Sequence, residues 1–283
     1  MRLFTCIALA ACVSSPAVAQ SRTDGSSLPS PEAISSRDTL TIGLGGAFLP
    51  DYEGSNDYRI VPAAAVRGRY HGISFDTSGT YLYVNLLPMR GRVTFEAGPV
   101  AGARLETRKH VDDPVVKLLP HLHDAIEIGA YAGVGLHGLT NPYDSLSLRV
   151  DAAHDIANAH QSTVVGTTVS FSTPLSRRTY VSASAGAEFV SKKFADYYYG
   201  VTPGESLATG GAIPPFDADG GMKNWKASLL VDQSITGDLL GGLSIFGLGQ
   251  YSRLVGDFSR SPLVSERGSP NQWLGALGLA YTW

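Results

Sequence analysis

Both cysteines of the chain, Cys6 and Cys12, fall within its first twelve residues, so no disulfide framework can staple the remainder. No apolar run beyond residue 19 reaches the roughly 18 residues of a membrane-spanning helix, so any crossing of a bilayer must be made by strands. Charge of one sign is not in large excess. The 22 Lys and Arg stand against 25 Asp and Glu for a formal net charge of −3, with nothing to suggest a nucleic-acid partner. No glycine-rich phosphate loop follows a strand and opens a helix, so neither a nucleotide nor any other cofactor is implied. Helical periodicity beyond the leader is almost missing, and heptads, repeats and internal domain boundaries are missing too. The closing stretch LGALGLAYTW, 274–283, lacks the polar tail that frayed termini usually carry.

At the other end, MRLFTCIALAACVSSPAVAQ has one positive charge at Arg2, an apolar stretch from Leu3 to about Val13, and the small-x-small site Ala17-Val18-Ala19. Residues 1–19 read as a cleavable signal peptide, with the mature chain starting at Gln20. Loss of Arg2 then moves the formal net charge from −3 to −4. A rival reading cuts before Cys12 at Leu9-Ala10-Ala11-Cys12, as in lipid-modified proteins, and leaves a short signal. Residues 20–38 are polar and rich in Ser and Pro, a disordered periplasmic lead-in. Residues 39–283 form one domain.

That domain alternates at period two. In 274–283, Leu277, Leu279, Tyr281 and Trp283 share one face, and Ala276, Gly278, Ala280 and Thr282 share the other. The same alternation recurs in TLTIGLGGAF, RVTFEAGPVAGARLE, AIEIGAYAGVGLHG, SLSLRVDA, TYVSASAGAEFV and NWKASLLVDQSI. A soluble sandwich also alternates, but three features favour a membrane barrel. The strands run to roughly 10–14 residues, against about 5–6 in soluble sheets. The polar faces carry both charge signs, at Arg67, Arg69, Arg92, Glu96, Arg104, Glu106, Glu127, Arg149, Asp151, Glu188, Lys226 and Asp232. Aromatics stand at a strand end, as at a membrane interface.

The expected fold is therefore all-β, a transmembrane antiparallel β-barrel of about 12 strands in the outer membrane of a Gram-negative bacterium, held by the lipids around it. Long links at 107–124, 191–222 and 256–270 all fall on one side, as external loops do, and short turns on the other. Eleven strands are evident: 39–48, 58–69, 73–86, 92–106, 125–137, 144–156, 160–173, 178–190, 223–235, 239–253 and 271–283. Parity demands an even number. A hairpin at Asp76-Thr77-Ser78-Gly79 splits the third and gives twelve, and ten strands is the alternative. The terminal face of Leu279, Tyr281 and Trp283 is expected to be the signal read by the barrel-assembly machinery.

Candidate chemistry is sparse. His160 and Ser162 have the His-x-Ser spacing of outer-membrane lipid esterases and would share a strand face, but no third group is evident to orient the base. His110, Asp112, Asp113, His121, His123 and Asp124 crowd one long loop, without the ligand spacing of a known metal site. The expectation is no catalytic residue and no metal. Tyr52-Glu53-Gly54-Ser55 reads as a structural turn with Gly54 at positive φ. Tyr197, Tyr198 and Tyr199 read as an aromatic girdle.

Four stretches carry a resemblance: PDYEGSNDYR at 50–59, AIEIGAYAG at 125–133, FADYYYGVTPGES at 194–206 and YSRLVGDFSRSPLVSERGSPNQW at 251–273. They resemble the MipA/OmpV outer-membrane proteins, over roughly residues 40–283. The family-type positions are Tyr52, Glu53, Gly54, Ser55, Tyr199, Gly200, Ser261 and Pro262. The resemblance implies an outer-membrane barrel, and in one family member a scaffold bridging a lytic transglycosylase and a peptidoglycan synthase. Two function classes stay open beside the esterase: a non-enzymatic interaction protein of the cell envelope, and a small passive channel.

Overall fold

A computed structural model describes residues 37–283 except 106, 107 and 109. The expected signal peptide and lead-in lie outside the described residues, save Arg37 and Asp38. Twelve antiparallel strands close into one barrel, each paired with its neighbours in sequence. The first six are β1 Thr39–Pro50, β2 Tyr58–Tyr70, β3 Ile73–Ser78, β4 Tyr81–Asn85, β5 Val93–Arg104 and β6 Ala125–His137. The rest are β7 Ser145–Asp155, β8 Thr163–Pro174, β9 Thr179–Val190, β10 Gly221–Ser234, β11 Gly242–Leu254 and β12 Asn271–Thr282. β12 returns to β1, with Thr41 opposite Thr282 and Phe48 opposite Gly275, and the Trp283 N–H donates to the Leu40 carbonyl at 2.9 Å. The last strand is thus a wall element that removes an open edge.

The hairpin expected near residue 78 exists, which makes twelve strands rather than ten. Its turn is tighter than the sequence suggests. Asp76, Thr77 and Ser78 belong to β3, and only Gly79, at φ 60°, and Thr80 make the turn. β3 and β4 have 6 and 5 residues, against 11 to 14 in the other strands. β2 consequently pairs with β3 only from Arg67 to Tyr70. Just above, the Val66 N–H donates to Thr77 Oγ1 at 2.9 Å and the Val66 carbonyl accepts from it at 3.2 Å, so a side chain ends the ladder. Pro62 lies four residues further along, on the same edge by the period of two. It lacks an N–H where no described strand requires one.

The wall follows the alternation. Leu44, Phe95 and Leu277 face outward, each more than 60% exposed, as do Ile60, Leu148 and Leu229. An apolar belt this continuous is stable only against lipid. Aromatic side chains ring it at both rims. Tyr70, Tyr281 and Trp283 mark the end with short turns, and the last two rings are 4.5 Å apart. Phe48 stacked on Tyr58 at 4.8 Å, with Tyr251 in ring contact with Trp225 and Trp273, marks the end with long loops. The charged residues named from the sequence face inward in the described strands; Glu106 lies outside the described residues.

Candidate functional site: the outer cap and the lumen beneath it

The long loops fold over the outer mouth instead of splaying from it. Residues 192–199 form helix α1 (Lys192–Tyr199), followed by α2 (Pro203–Ala208). The last long loop contributes α3 (Gly256–Arg260) and α4 (Pro262–Ser265). α1 forms because Phe194, Ala195, Tyr198 and Tyr199 recur at helical spacing on one face. That face is buried against Leu254, Phe258 and Val264, with the Tyr199 and Phe258 rings 5.1 Å apart. Tyr197–Tyr199 are therefore cap residues and not the expected girdle. Burial won over the interface because these rings sit on a helix that doubles back over the lumen. α2 begins at a capping box in which the Glu205 N–H donates to Thr202 Oγ1 at 3.2 Å and the Thr202 N–H to the Glu205 carboxylate at 2.8 Å. A second core joins Tyr52, Val111, Val116, Leu119, Val201, Ile213 and Leu263 from four loops.

The residues that carry the family resemblance meet here. The Tyr52 hydroxyl donates to the Leu263 carbonyl at 3.0 Å. Gly54, at φ 106°, donates its N–H to Gln272 Oε1 at 3.1 Å, and a Cβ on it would lie 2.6 Å from Val264 Cγ2. The Ser55 N–H closes the turn on the Tyr52 carbonyl at 2.9 Å, as a structural turn requires. The Gly200 N–H ends α1 on the Ala195 and Asp196 carbonyls. Ser261 Oγ donates to the Tyr199 carbonyl at 2.6 Å, and Pro262 opens α4.

Beneath the cap lies a layer of ion pairs. Lys223 Nζ, with 1% of its side chain exposed, is 2.8 Å from Glu53 Oε1 and 2.7 Å from Glu188 Oε2. Lys226 Nζ takes the other Glu188 oxygen at 3.0 Å. Across the lumen the buried Glu127 accepts from Arg104 Nε at 3.0 Å, the Tyr81 hydroxyl at 2.6 Å and His160 Nε2 at 3.0 Å. Charges buried this deeply persist because each faces an opposite charge or several donors.

His160 thus does have a carboxylate partner, but it lacks the nucleophile. The strand expected from residue 160 begins at Thr163, and Gln161 at φ 49° breaks the extended backbone on which His160 and Ser162 would share a face. Ser162 Oγ bonds instead to Ser191 Oγ at 2.6 Å. In the loop 105–124, Asp113 accepts from the Val115 and Val116 N–H groups and pairs with Arg267 at 2.6 Å. Burial alone would raise the Asp113 carboxyl, but these donors outweigh it and hold it below the usual range. The His121 ring bonds the Arg108 carbonyl at 3.1 Å. Among the described residues, no three His, Cys, Asp or Glu converge to hold a metal.

The lumen below holds a cavity of about 1270 Å³. Its walls stop at Arg104, Glu127, Glu188 and Lys226 above and reach Arg37, Arg69, Gly138 and Arg177 at the short-turn rim. At mid-height Arg149 pairs with Asp76 at 3.4 Å and Glu96 at 3.2 Å, and it lies 4.7 Å and 4.9 Å from the Tyr83 and Tyr131 ring centres. The turn 235–241 tucks Leu239 and Leu240 inward, where Leu239 packs on Tyr180, Leu230 and Phe246 and narrows one side of the inner mouth. The sequence named the charges but not this arrangement, because pairing across the lumen joins residues such as Asp76 and Arg149 that have no local signal.

A family profile described as MltA-interacting protein MipA matches residues 42–283. The chain belongs to that family. No curated protein sequence matches it significantly. Similar solved structures include the CymD monoaromatic hydrocarbon channel, at 9% identity and TM-score 0.38, covering 89% of this chain and 91% of that one. The toluene transporter TodX of Pseudomonas putida is similar at 9% identity and TM-score 0.36, again covering 89% and 91%. The toluene transporter TbuX of Ralstonia pickettii follows at 10% identity and TM-score 0.33, covering 87% and 88%.

Proposed function

We propose, with membership of the MipA family as premise, that this outer-membrane barrel is a non-enzymatic, non-conducting interaction protein that works on its periplasmic side. The observation that carries the reading is the buried Lys223, which ties Glu53 of the cap to Glu188 of the wall across the outer mouth. A barrel closed at that end offers function only its short-turn end, which faces the periplasm when the long loops lie outside. The family description points to a lytic transglycosylase as partner, and a peptidoglycan synthase bound beside it makes the barrel a scaffold of the wall-building machinery. The chain reaches the outer membrane through cleavage after Ala19 and recognition of Leu279, Tyr281 and Trp283 by the barrel-assembly machinery. No metal or cofactor takes part. Ser162 and His160 do not form an esterase pair in this reading, since each side chain is bonded elsewhere.

Crosslinking from the short-turn side tests it. A photoreactive residue at Ser176, in the turn between β8 and β9, should capture a lytic transglycosylase in envelopes, and one at Ala212, on the cap, should not. Capture from neither position, or from Ala212 alone, contradicts the scaffold. A passive channel is the second reading, favoured by the cavity that runs from the inner rim to the ion-pair layer. It requires the cap to move aside.

A further inference from the structure

The cations of the lumen divide into two groups. The deep ones are matched: Arg104 by Glu127, Arg149 by Asp76 and Glu96, and Lys223 and Lys226 by Glu188. Those toward the inner rim are not. Arg67 and Arg69 lie two residues apart on β2, so both face inward, and Arg37 and Arg92 line the same cavity. None of these four forms an ion pair with a carboxylate among the described residues. The carboxylate opposite Arg67 in the β2–β3 register is Asp76, and it turns to Arg149. Arg69 donates to the Met89 sulfur at 3.4 Å, and Ser74 Oγ lies 3.6 Å from the same sulfur, so the turn 86–92 leans over the cluster.

Like charges gathered in a confined, partly desolvated space repel one another and favour a counter-charge from outside. Guanidinium groups match carboxylate and phosphate through paired N–H donors. Thr39 and Thr41, on the strand beside Arg69 and Arg67, supply further hydroxyls, and Tyr83 and Tyr131 line the space deeper in. We propose that this arginine-lined vestibule is a binding site for an organic anion, a carboxylate or phosphate presented from the periplasm. Its charged group sits between Arg67 and Arg69, and its body lies toward the aromatic rings. The proposal rests on the short-turn end facing the periplasm and does not depend on whether the outer mouth conducts.

Calorimetry of the mature barrel in non-ionic detergent at low salt tests it, with succinate and inorganic pyrophosphate as probes. Saturable binding of at least one probe is expected, and the tighter of the two identifies carboxylate or phosphate as the natural source. Arg67→Gln/Arg69→Gln should weaken that binding at least tenfold while the barrel stays heat-modifiable. Arg178→Gln removes one positive charge from a short turn outside the cavity and should leave binding unchanged. Should the double variant fail to fold, Arg92→Gln alone, at the exposed rim, should weaken binding several-fold. Binding of neither probe by the wild type overturns the proposal, as does equal binding by the folded double or rim variant. Conductance is a separate readout, so failure here is distinct from failure of the closed-barrel reading.

Discussion

Lys223 and Glu53 are 170 residues apart in sequence, and their Nζ and Oε1 atoms lie 2.8 Å apart in a layer closed to water on the lysine side. Glu53 belongs to the cap and Lys223 to the rim of β10, so the pair is a tie between loop and wall. It also lies 5.4 Å from the Phe194 ring at the base of α1. One ammonium thereby holds the loop 51–57, the wall at Glu188 and the helix α1 of the loop between β9 and β10.

Lys223→Met keeps the apolar stem and removes the charge. It leaves Glu53 and Glu188 without their shared partner, a loss of about 3–5 kcal/mol for a buried pair with one member deleted. The temperature at which the folded band disappears on heat-modifiability gels should fall. Adding Glu53→Gln should recover part of the loss, since one of the stranded carboxylates is then neutral. A double variant no better than the single would show that the pair is not coupled.

The outward belt has its own cost function. Leu277 is 63% exposed on the lipid face of β12, between its neighbours Gly46 and Gly247. Leu277→Arg should destabilise the barrel in lipid vesicles by about 2–4 kcal/mol if the position is near mid-membrane. Urea unfolding in vesicles reads the difference. An unchanged midpoint would place Leu277 outside the hydrocarbon.

The turn 138–144 makes a prediction in pH. The Asp144 carboxylate accepts from the Leu139, Thr140 and Asn141 N–H groups and from Thr140 Oγ1, at 2.6 to 3.1 Å. Burial works to raise its pKa, and these donors outweigh that and hold it at about 2. A lowered folded-state value means stabilisation that is fully present above the unfolded value of roughly 4 and lost as pH falls toward 2. The stability advantage of the wild type over Asp144→Ala should therefore be flat from pH 7 to about pH 5 and shrink below pH 4. A constant advantage down to pH 2 would remove the carboxylate from the explanation.

Single cysteines can map the orientation, given that the natural Cys6 and Cys12 are expected to leave with the signal peptide. In intact cells an impermeant maleimide should label Ala212→Cys and Leu118→Cys, both exposed on the cap. It should reach Ser176→Cys only after the outer membrane is permeabilised. Ser261→Cys, fully buried beneath α1, should react only after unfolding. Ser78→Cys, at the short hairpin tip and lining the cavity, should be shielded from outside even though the hairpin is real. Labelling of Ser176→Cys in intact cells would invert the topology.

The barrel was legible in the sequence because each strand reports locally. Alternation along Leu277, Leu279 and Tyr281 gives the lipid face, Gly79 gives a turn, and parity forces the extra hairpin. The cap was not, because its contacts are long-range: Tyr52 meets Leu263 across 211 residues. One local signal of the cap is present in the sequence. Phe194, Ala195, Tyr198 and Tyr199 carry a helical period, but three adjacent tyrosines at a strand end have the composition of an interface girdle. The esterase spacing failed for a backbone reason, the left-handed Gln161, which residue types do not reveal. The rim arginines were visible as charges. That they form no ion pair among the described residues emerged only once Asp76 was seen to face Arg149.

Single-channel recording of the refolded wild-type barrel in planar bilayers decides whether the cap and the Lys223 layer close the outer mouth. The prediction is a flat baseline for the wild type, with conductance steps appearing in Lys223→Met under the same voltage and salt. Regular, reproducible steps in the wild type would contradict a closed interaction protein and make the barrel a channel.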